Sequence, residues 1–348
     1  MSSFLVESGC LFSFILGLLA SRLSALVVES DRVMVALPDV GNLMLSSREP
    51  NTRKTYFYAF GVWSAWATAH GCRVLPALPL SVATFLLERV EARVPSSTIN
   101  GYIFSIGYCH RLSGNDNLCD DEVVVAVVDA AQRICPRNFN RKDPIAVDEM
   151  RRVYDYLAPG VAMVNKRLWA MAALMFGGFL RYDEVSGVRL RDITFHDDHV
   201  KIFLPRSKVD ALREGDCVRV AETKVVACPV GALRAYLDRA EVERGEEFVF
   251  RRVIHTKQGG KLSPVNKPVT YSSVRRELRR VLMAVGLDPR RFGLHSMRAG
   301  GASKAANAGV EDRLFQRHGR WKFSKSKNSY VRDNIDRMLS VSRDLVVE

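Results

Sequence analysis

From about Asn51 to Arg137 the apolar positions recur with a helical period, and punctuation divides them into four segments. In the first, Tyr56, Phe60, Trp63 and Ala67 stand at i, i+4, i+7 and i+11, an apolar stripe that ends at Gly71. The second starts at Ser81 and carries Val82, Phe85, Leu86 and Val90. It must stop before Pro95, because the residue ahead of a proline is pushed out of the α region. A cap at Ser96 or Ser97 opens the third, with Ile99, Ile103 and Ile106 on its apolar face and Ser113–Gly114 breaking it. The fourth runs from about Asp120, where acids suit a helix N-terminus, to Cys135 ahead of Pro136. These segments predict a small helical domain. Trp63 on its first stripe and Trp66 beside it stand where core is favoured over stacking on bases.

The polar stretch Arg137–Pro144 reads as a linker, and its Arg137, Arg141 and Lys142 suit a nucleic-acid backbone. Beyond it the period changes. Helices are expected over Val147–Leu157 and Asn165–Leu180, followed by strand-like runs at Asp192–Phe195, Val200–Leu204 and Val218–Val220, separated by turn formers such as Asp197, Asp198, Gly215 and Asp216. A three-stranded antiparallel sheet is the natural reading. Further helices are expected near Val230–Glu243, Ser272–Val285, His295–Ala308 and Glu311–His318, and the tail Val331–Glu348 carries Ile335, Met338, Leu339 and Leu345 at amphipathic spacing. The fold class is therefore mainly α with a small antiparallel β-sheet.

Near the N-terminus, Cys10–Ala20 is apolar, but Glu7 precedes it, no basic stretch leads it, and Arg22 interrupts it well short of a membrane span. A helix is expected there, with a cleaved targeting segment as the alternative. At 348 residues the chain exceeds what one core usually organises, which points to two domains. Its 47% apolar and 26% charged residues match a soluble globular protein. The seven cysteines form no C-x-x-C pair and no Cys/His grouping at zinc spacing, which argues against a metal framework. His196 and His199 bracket two acids in H-D-D-H, read as an exposed hairpin turn ahead of a metal cluster.

Charge changes the picture more. Lys and Arg outnumber Asp and Glu by 51 to 38, and between Arg291 and Arg332 there are ten basic residues against two acids. A field of that sign suits a phosphate backbone. Arg320, Lys322, Lys325 and Lys327 in this stretch are expected to face it, while the Arg275, Arg276, Arg279, Arg280 set reads equally as solvated surface or phosphate contact.

Within the basic stretch, His295 and Arg298 stand three apart on a predicted helix and so project from one face. Arginine grips phosphate oxygens through its planar fork and histidine moves protons, a sensible pair for phosphoryl transfer. Tyr330 follows Trp321 by nine residues and sits among Lys322, Lys325, Lys327 and Arg332. A phenol surrounded by cations suits a nucleophile; the plain alternative is a half-buried tyrosine in a basic helix.

Taken together, H-x-x-R, a Gly-x-Trp about twenty residues later and a Tyr nine beyond the Trp resemble the C-terminal signature of the tyrosine recombinases, or phage integrases. The likeness is closest to the tryptophan-bearing branch that includes Cre, and it covers roughly Ser47–Arg332. The spacing and the H-R-L-S-G segment at 110–114 also resemble recombinases of eukaryotic mobile elements such as Cryptons and DIRS-like retroelements. The resemblance implies an earlier arginine at the end of an apolar helix with an acid three residues on, matched by Arg181 and Glu184 in FGGFLRYDEV. It also implies a hairpin lysine, matched by Lys208, with Lys201 and Lys224 as alternatives.

By the same resemblance, residues 47–140 form a helical core-binding (SAM-like) domain and 141–348 an α+β catalytic domain ending in a docking helix, with 1–46 an extension of unassigned role. Tyr330 would be the nucleophile, giving a 3′-phosphotyrosyl link. Arg181 and Arg298 would stabilise charge, Lys208 would protonate the leaving oxygen, His295 would assist proton transfer, Trp321 would contact the phosphate and Glu184 would orient its neighbours. No metal, ATP or other cofactor is implied. The implied partners are double-stranded DNA and further copies of the chain, as a tetramer on two sites, with no membrane. The location would be the nucleus in a eukaryote and otherwise the nucleoid. Trp321 stands where the family more often has His, and His318 lies three residues too early to replace it. Alternatives are a type IB topoisomerase-like nicking-closing enzyme, a DNA-binding protein that has lost catalysis, and a metal-dependent nuclease.

Overall fold

The computed structural model describes residues 17, 19–20, 22–23, 30–136, 141–205 and 214–343. Most of the Cys10–Ala20 stretch, residues 137–140 and residues 206–213, Lys208 among them, fall outside them. The chain divides into two compact units, Met1–Asn140 and Arg141–Glu348.

The first unit is helical: α1 (Asp31–Ser46), α2 (Pro50–Ala69), α3 (Pro79–Glu91), α4 (Ser96–Leu112) and α5 (Glu122–Ile134). The apolar stripe of α2 is buried, with Phe60, Trp63 and Ala67 at 0% exposure. Trp63 and Trp66 stack on each other, and their indole N–H groups donate to Val74 O at 3.2 Å and Glu88 Oε2 at 2.7 Å. They are core, and their polar edges are satisfied as burial requires. Asp121 caps α5 by accepting from the N–H groups of Val123 and Val124, a contact that typically contributes about 1 kcal/mol. Leu19, Leu23 and Leu45 share this core, so part of the 1–46 stretch is built into the helical unit.

The second unit contains α6 (Val147–Leu157), α7 (Met163–Gly177), α8 (Tyr182–Ser186), β1 (Ile193–Phe195), β2 (His199–Leu204), β3 (Asp216–Ala221), α9 (Pro229–Ala240), β4 (Val253–Ile254), β5 (Lys261–Leu262), α10 (Tyr271–Ala284), α11 (Leu294–Asn307), α12 (Asp312–Gly319), α13 (Ser324–Asn328) and α14 (Ile335–Arg343). β1, β2 and β3 form the expected antiparallel sheet in that order, with Val200 opposite Val220 and Ile202 opposite Val218. The even-numbered positions of β2 point inward: Val200, Ile202 and Leu204 are buried. From Leu168 onward helix α7 is apolar all round and nearly wholly buried, the central post against which α9 and α11 pack.

Candidate active site

Helix α7 ends at Gly177, and four residues later Arg181 caps α8 in an extended conformation. Its backbone N–H donates to Glu184 Oε2 and its Nη1 to Glu184 Oε1, both at 2.7 Å. The R-x-x-E spacing thus closes a one-turn box that fixes the direction of the arginine. Between the two elements Phe179 takes a left-handed backbone, with φ 47°.

Helix α11 carries the second arm. It lies close against α7 and against the segment ahead of α6 because Gly301 and Gly300 have no side chains: a Cβ at Gly301 would sit 2.0 Å from Phe176 O, and one at Gly300 would sit 2.1 Å from Ile145 O. The approach seats His295 exposed in the first helical turn and Arg298 fully buried one turn later. The linker's end runs alongside: Ile145 N donates to Ser296 O at 3.1 Å, and Asp143 pairs with Arg291 at 2.8 Å.

The third arm begins where α12 stops. Gly319 has no room for a side chain, since a Cβ would meet the Trp321 ring at 1.9 Å, and Arg320 reverses the chain with φ 55°. Trp321 folds back at 4% exposure onto Phe179 and Phe315, and α13 then delivers Tyr330, whose ring lies 5.6 Å from that of Trp321.

One cleft of about 470 Å³ gathers these arms. Arg181, His295, Trp321 and Tyr330 line it together with Tyr182, Asp183, Tyr271, Lys322, Phe323, Ser326 and Ser329. Arg298 lies behind this wall, its guanidinium carbon 4.9 Å from the centre of the Tyr330 ring and 5.0 Å from that of Trp321. A cation over two π faces is favoured electrostatically, the more so when water is excluded. Sequence reasoning gave Arg298 a fork on phosphate oxygens. In the structure Nη1 instead donates to Phe179 O, and Nη2 to Gly319 O at 2.7 Å. Burial first, and then Arg181, lower its pKa, with Glu184 opposing.

Glu184 is the hub. Burial works to raise its pKa, but Arg320, then Arg181 and Arg298, outweigh it and hold the carboxyl below its ordinary value. The Trp321 Nε1, Arg298 Nε and Arg320 Nε donors are buried without a hydrogen-bond partner. Such groups are uncommon in folded proteins, and these three lie together around the cleft.

Two expected DNA contacts are corrected. Arg320 is 7% exposed and turned inward to Glu184 and main-chain carbonyls, because its left-handed backbone aims the side chain under the cleft. Lys327 is 6% exposed and bonded to Asp312. Lys322, Lys325 and Arg141 are exposed, and Lys142 donates to Arg290 O. Arg137 and Lys208 lie outside the described residues; Lys201 is half-buried on β2 and Lys224 exposed. His318 donates from Nε2 to Gly177 O at 2.9 Å, and burial lowers its pKa, so it serves as a neutral strut. The Arg275, Arg276, Arg279 and Arg280 side chains are all exposed on α10. In the β1–β2 turn His196 and His199 stack, and among the described residues no group of three or more His, Cys, Asp or Glu could hold a metal. No described helix is long and apolar enough to cross a membrane.

Sequence reasoning missed Tyr271, Asp183 and Phe323 as cleft residues. Asp183 and Phe323 could have been found from their places two residues after Arg181 and Trp321, whereas nothing local ties Tyr271 to the site.

Residues 145–337 match the family model described as the phage integrase family. A relative from Selenomonas ruminantium described as an integrase/recombinase xerD homolog is 27% identical over 289 residues, covering 82% of each chain. Among solved structures, the XerH site-specific recombinase in a post-cleavage complex with palindromic difH substrate aligns with a TM-score of 0.58 at 15% identity, over 96% of this chain and 95% of that one. The Tn1549 transposon integrase in complex with transposon right-end DNA aligns with a TM-score of 0.56 at 13% identity, over 96% and 99%. At those identities the structural likeness speaks for the fold, mainly helical with small antiparallel sheets.

Proposed function

Because the chain belongs to the phage integrase family of tyrosine recombinases, we propose that it is a site-specific DNA recombinase that cuts and rejoins strands through Tyr330. The observation that carries this reading is that Arg181, His295, Trp321 and Tyr330 of one chain line one cleft, with the Arg298 guanidinium 4.9 Å behind the Tyr330 ring. The Tyr330 hydroxyl gives up its proton with His295 assisting, its oxygen attacks the scissile phosphorus to form a new P–O bond, and the P–O5′ bond breaks, the 5′ oxygen leaving with a proton. A 5′-hydroxyl from a second strand then reverses the step on a new partner. The phosphodiester's energy is kept in the phosphotyrosyl bond, so no ATP is consumed.

Arg181 sits in the wall of the cleft with its direction fixed by Glu184, placed to meet negative charge on the non-bridging oxygens; one such donor is typically worth about 10²- to 10³-fold in rate. Arg298 adds positive field from behind the rings. The Trp321 indole, buried at the cleft with its N–H unpaired, suits a phosphate oxygen. His295, exposed on the cleft wall, assists proton transfer, and Lys208 remains the proposed acid for the leaving oxygen. Double-stranded DNA is the proposed substrate, for both a helical domain over 47–140 and the catalytic domain from 141. The α14 tail, with Ile335, Met338 and Leu339 exposed, is proposed to meet another copy in a tetramer on two sites.

The test is incubation with a supercoiled plasmid carrying two copies of the DNA that flanks the gene, in excess chelator. The reading predicts a detergent-resistant protein–DNA adduct and recombinant products, with the adduct lost in Tyr330→Phe while DNA binding persists. Relaxed plasmid without recombinants would point to a nicking-closing enzyme. DNA bound with no adduct would point to a protein without catalysis.

A further inference from the structure

Two residues with side chains hold left-handed backbones in the site: Phe179, two positions before Arg181, and Arg320, one before Trp321. Such conformations cost free energy in any residue bearing a Cβ, and they persist where surrounding contacts over-determine them. Here a single side chain joins the two. Arg320 Nη2 donates to Phe179 O at 3.0 Å and to Glu184 Oε2 at 2.9 Å, while Nη1 donates to His318 O at 2.9 Å and to Gly178 O at 3.4 Å. Glycine would make the same turn without strain. What arginine adds is the guanidinium, buried at 3% side-chain exposure between two arms of the cleft.

We propose that Arg320 is a positioning residue for strand cleavage: its guanidinium ties the Arg181–Glu184 arm to the Trp321–Tyr330 arm and so fixes the spacing between the phosphate-binding arginine and the nucleophile. The role rests on the recombinase reading above. It has an electrostatic side. Glu184 is faced by Arg181 from the start of its own helix, by Arg298 from α11 at 3.7 Å and by Arg320 from the turn after α12. Arg320 is itself faced by His318 and by Asp216 of β3. Burial raises the Glu184 pKa, and Arg320 is the largest influence against it. Without Arg320 the carboxyl protonates at higher pH than in the wild type. Arg181 then loses its ionised partner as pH falls and regains it as pH rises.

The test compares wild type, Arg320→Gly, Arg320→Lys and the Arg320→Gly/Glu184→Gln double variant on a nicked DNA substrate that traps the covalent adduct, across the whole pH range over which the wild type stays folded, with DNA affinity and thermal midpoint measured alongside. Arg320→Gly should bind DNA within about threefold of wild type yet form adduct about 10²-fold more slowly at the acid end, a loss that narrows as pH rises. The double variant should lose that pH dependence. Arg320→Lys should restore the wild-type pH profile but not the full rate, since a point charge cannot span both Glu184 and the carbonyls. The role is overturned if Arg320→Gly cleaves within about threefold of wild type throughout, or if its loss is the same at every pH and follows a fall in thermal midpoint. Should the glycine variant not fold, a lysine variant with the wild-type rate overturns it as well. A wild-type protein that never forms adduct overturns the recombinase reading itself, and this role with it.

Discussion

A guanidinium with no exposed surface is expensive, since stripping water from a cation costs several kcal/mol even after the surroundings relax. Arg298 offsets that cost with bonds to Phe179 O and Gly319 O, the Glu184 carboxylate at 3.7 Å and the faces of two aromatic rings. Arg298→Lys keeps the charge and loses the fork, leaving carbonyls short of donors. It is expected to lower stability by about 1–3 kcal/mol in denaturant unfolding, and adduct formation by about 10²-fold or more. At this scale the H-x-x-R spacing was legible, because a helix turns three-apart residues to one face whatever surrounds them. Arg320 was not. A sequence displays its charge but not the left-handed backbone that turns it inward, and its partner Glu184 stands 136 positions away. Lys327 misled for a similar reason, its acid being on α12.

The elements followed hydrophobic period closely where they were long. The stripe of α2, the stop before Pro95 and the helix Val147–Leu157 were legible because each buries one face and is bounded by residues with few backbone options. Period gives no purchase on β4 and β5, two residues each, nor on α13, whose S-K-S-K-N is polar all round and held by what packs on it. The glycines of α11 show how packing overrides propensity. In a free helix Gly301→Ala would gain roughly 0.5–1 kcal/mol. Here the added methyl would lie 2.0 Å from the Phe176 carbonyl oxygen, a backbone atom that cannot step aside, so α11 must move off α7. Overpacking of that kind costs about 1–3 kcal/mol, and the net effect is expected to be destabilising, with the unfolding midpoint shifted to lower denaturant. Because α11 carries His295 and Arg298, adduct formation should fall further than stability alone explains.

Across the whole molecule, each of the two units has its own buried core, one around Trp63 and Phe85 and one around α7. Size and helical period together gave the expectation of two domains, although the first 46 residues were harder to place, since an apolar run ahead of α1 reads alone as either a leader or a helix. Three stretches of one chain, around Arg181, around His295–Arg298 and around Trp321–Tyr330, meet at one cleft, and the proposed function requires that a tyrosine oxygen there become covalently bound to DNA. The most direct measurement is mass spectrometry of protease and nuclease digests of the trapped adduct. The account predicts a single modified peptide bearing a 3′-linked nucleotide on Tyr330. A nucleotide mapped to any other side chain, such as Tyr271 or Tyr182 of the same cleft, would contradict it.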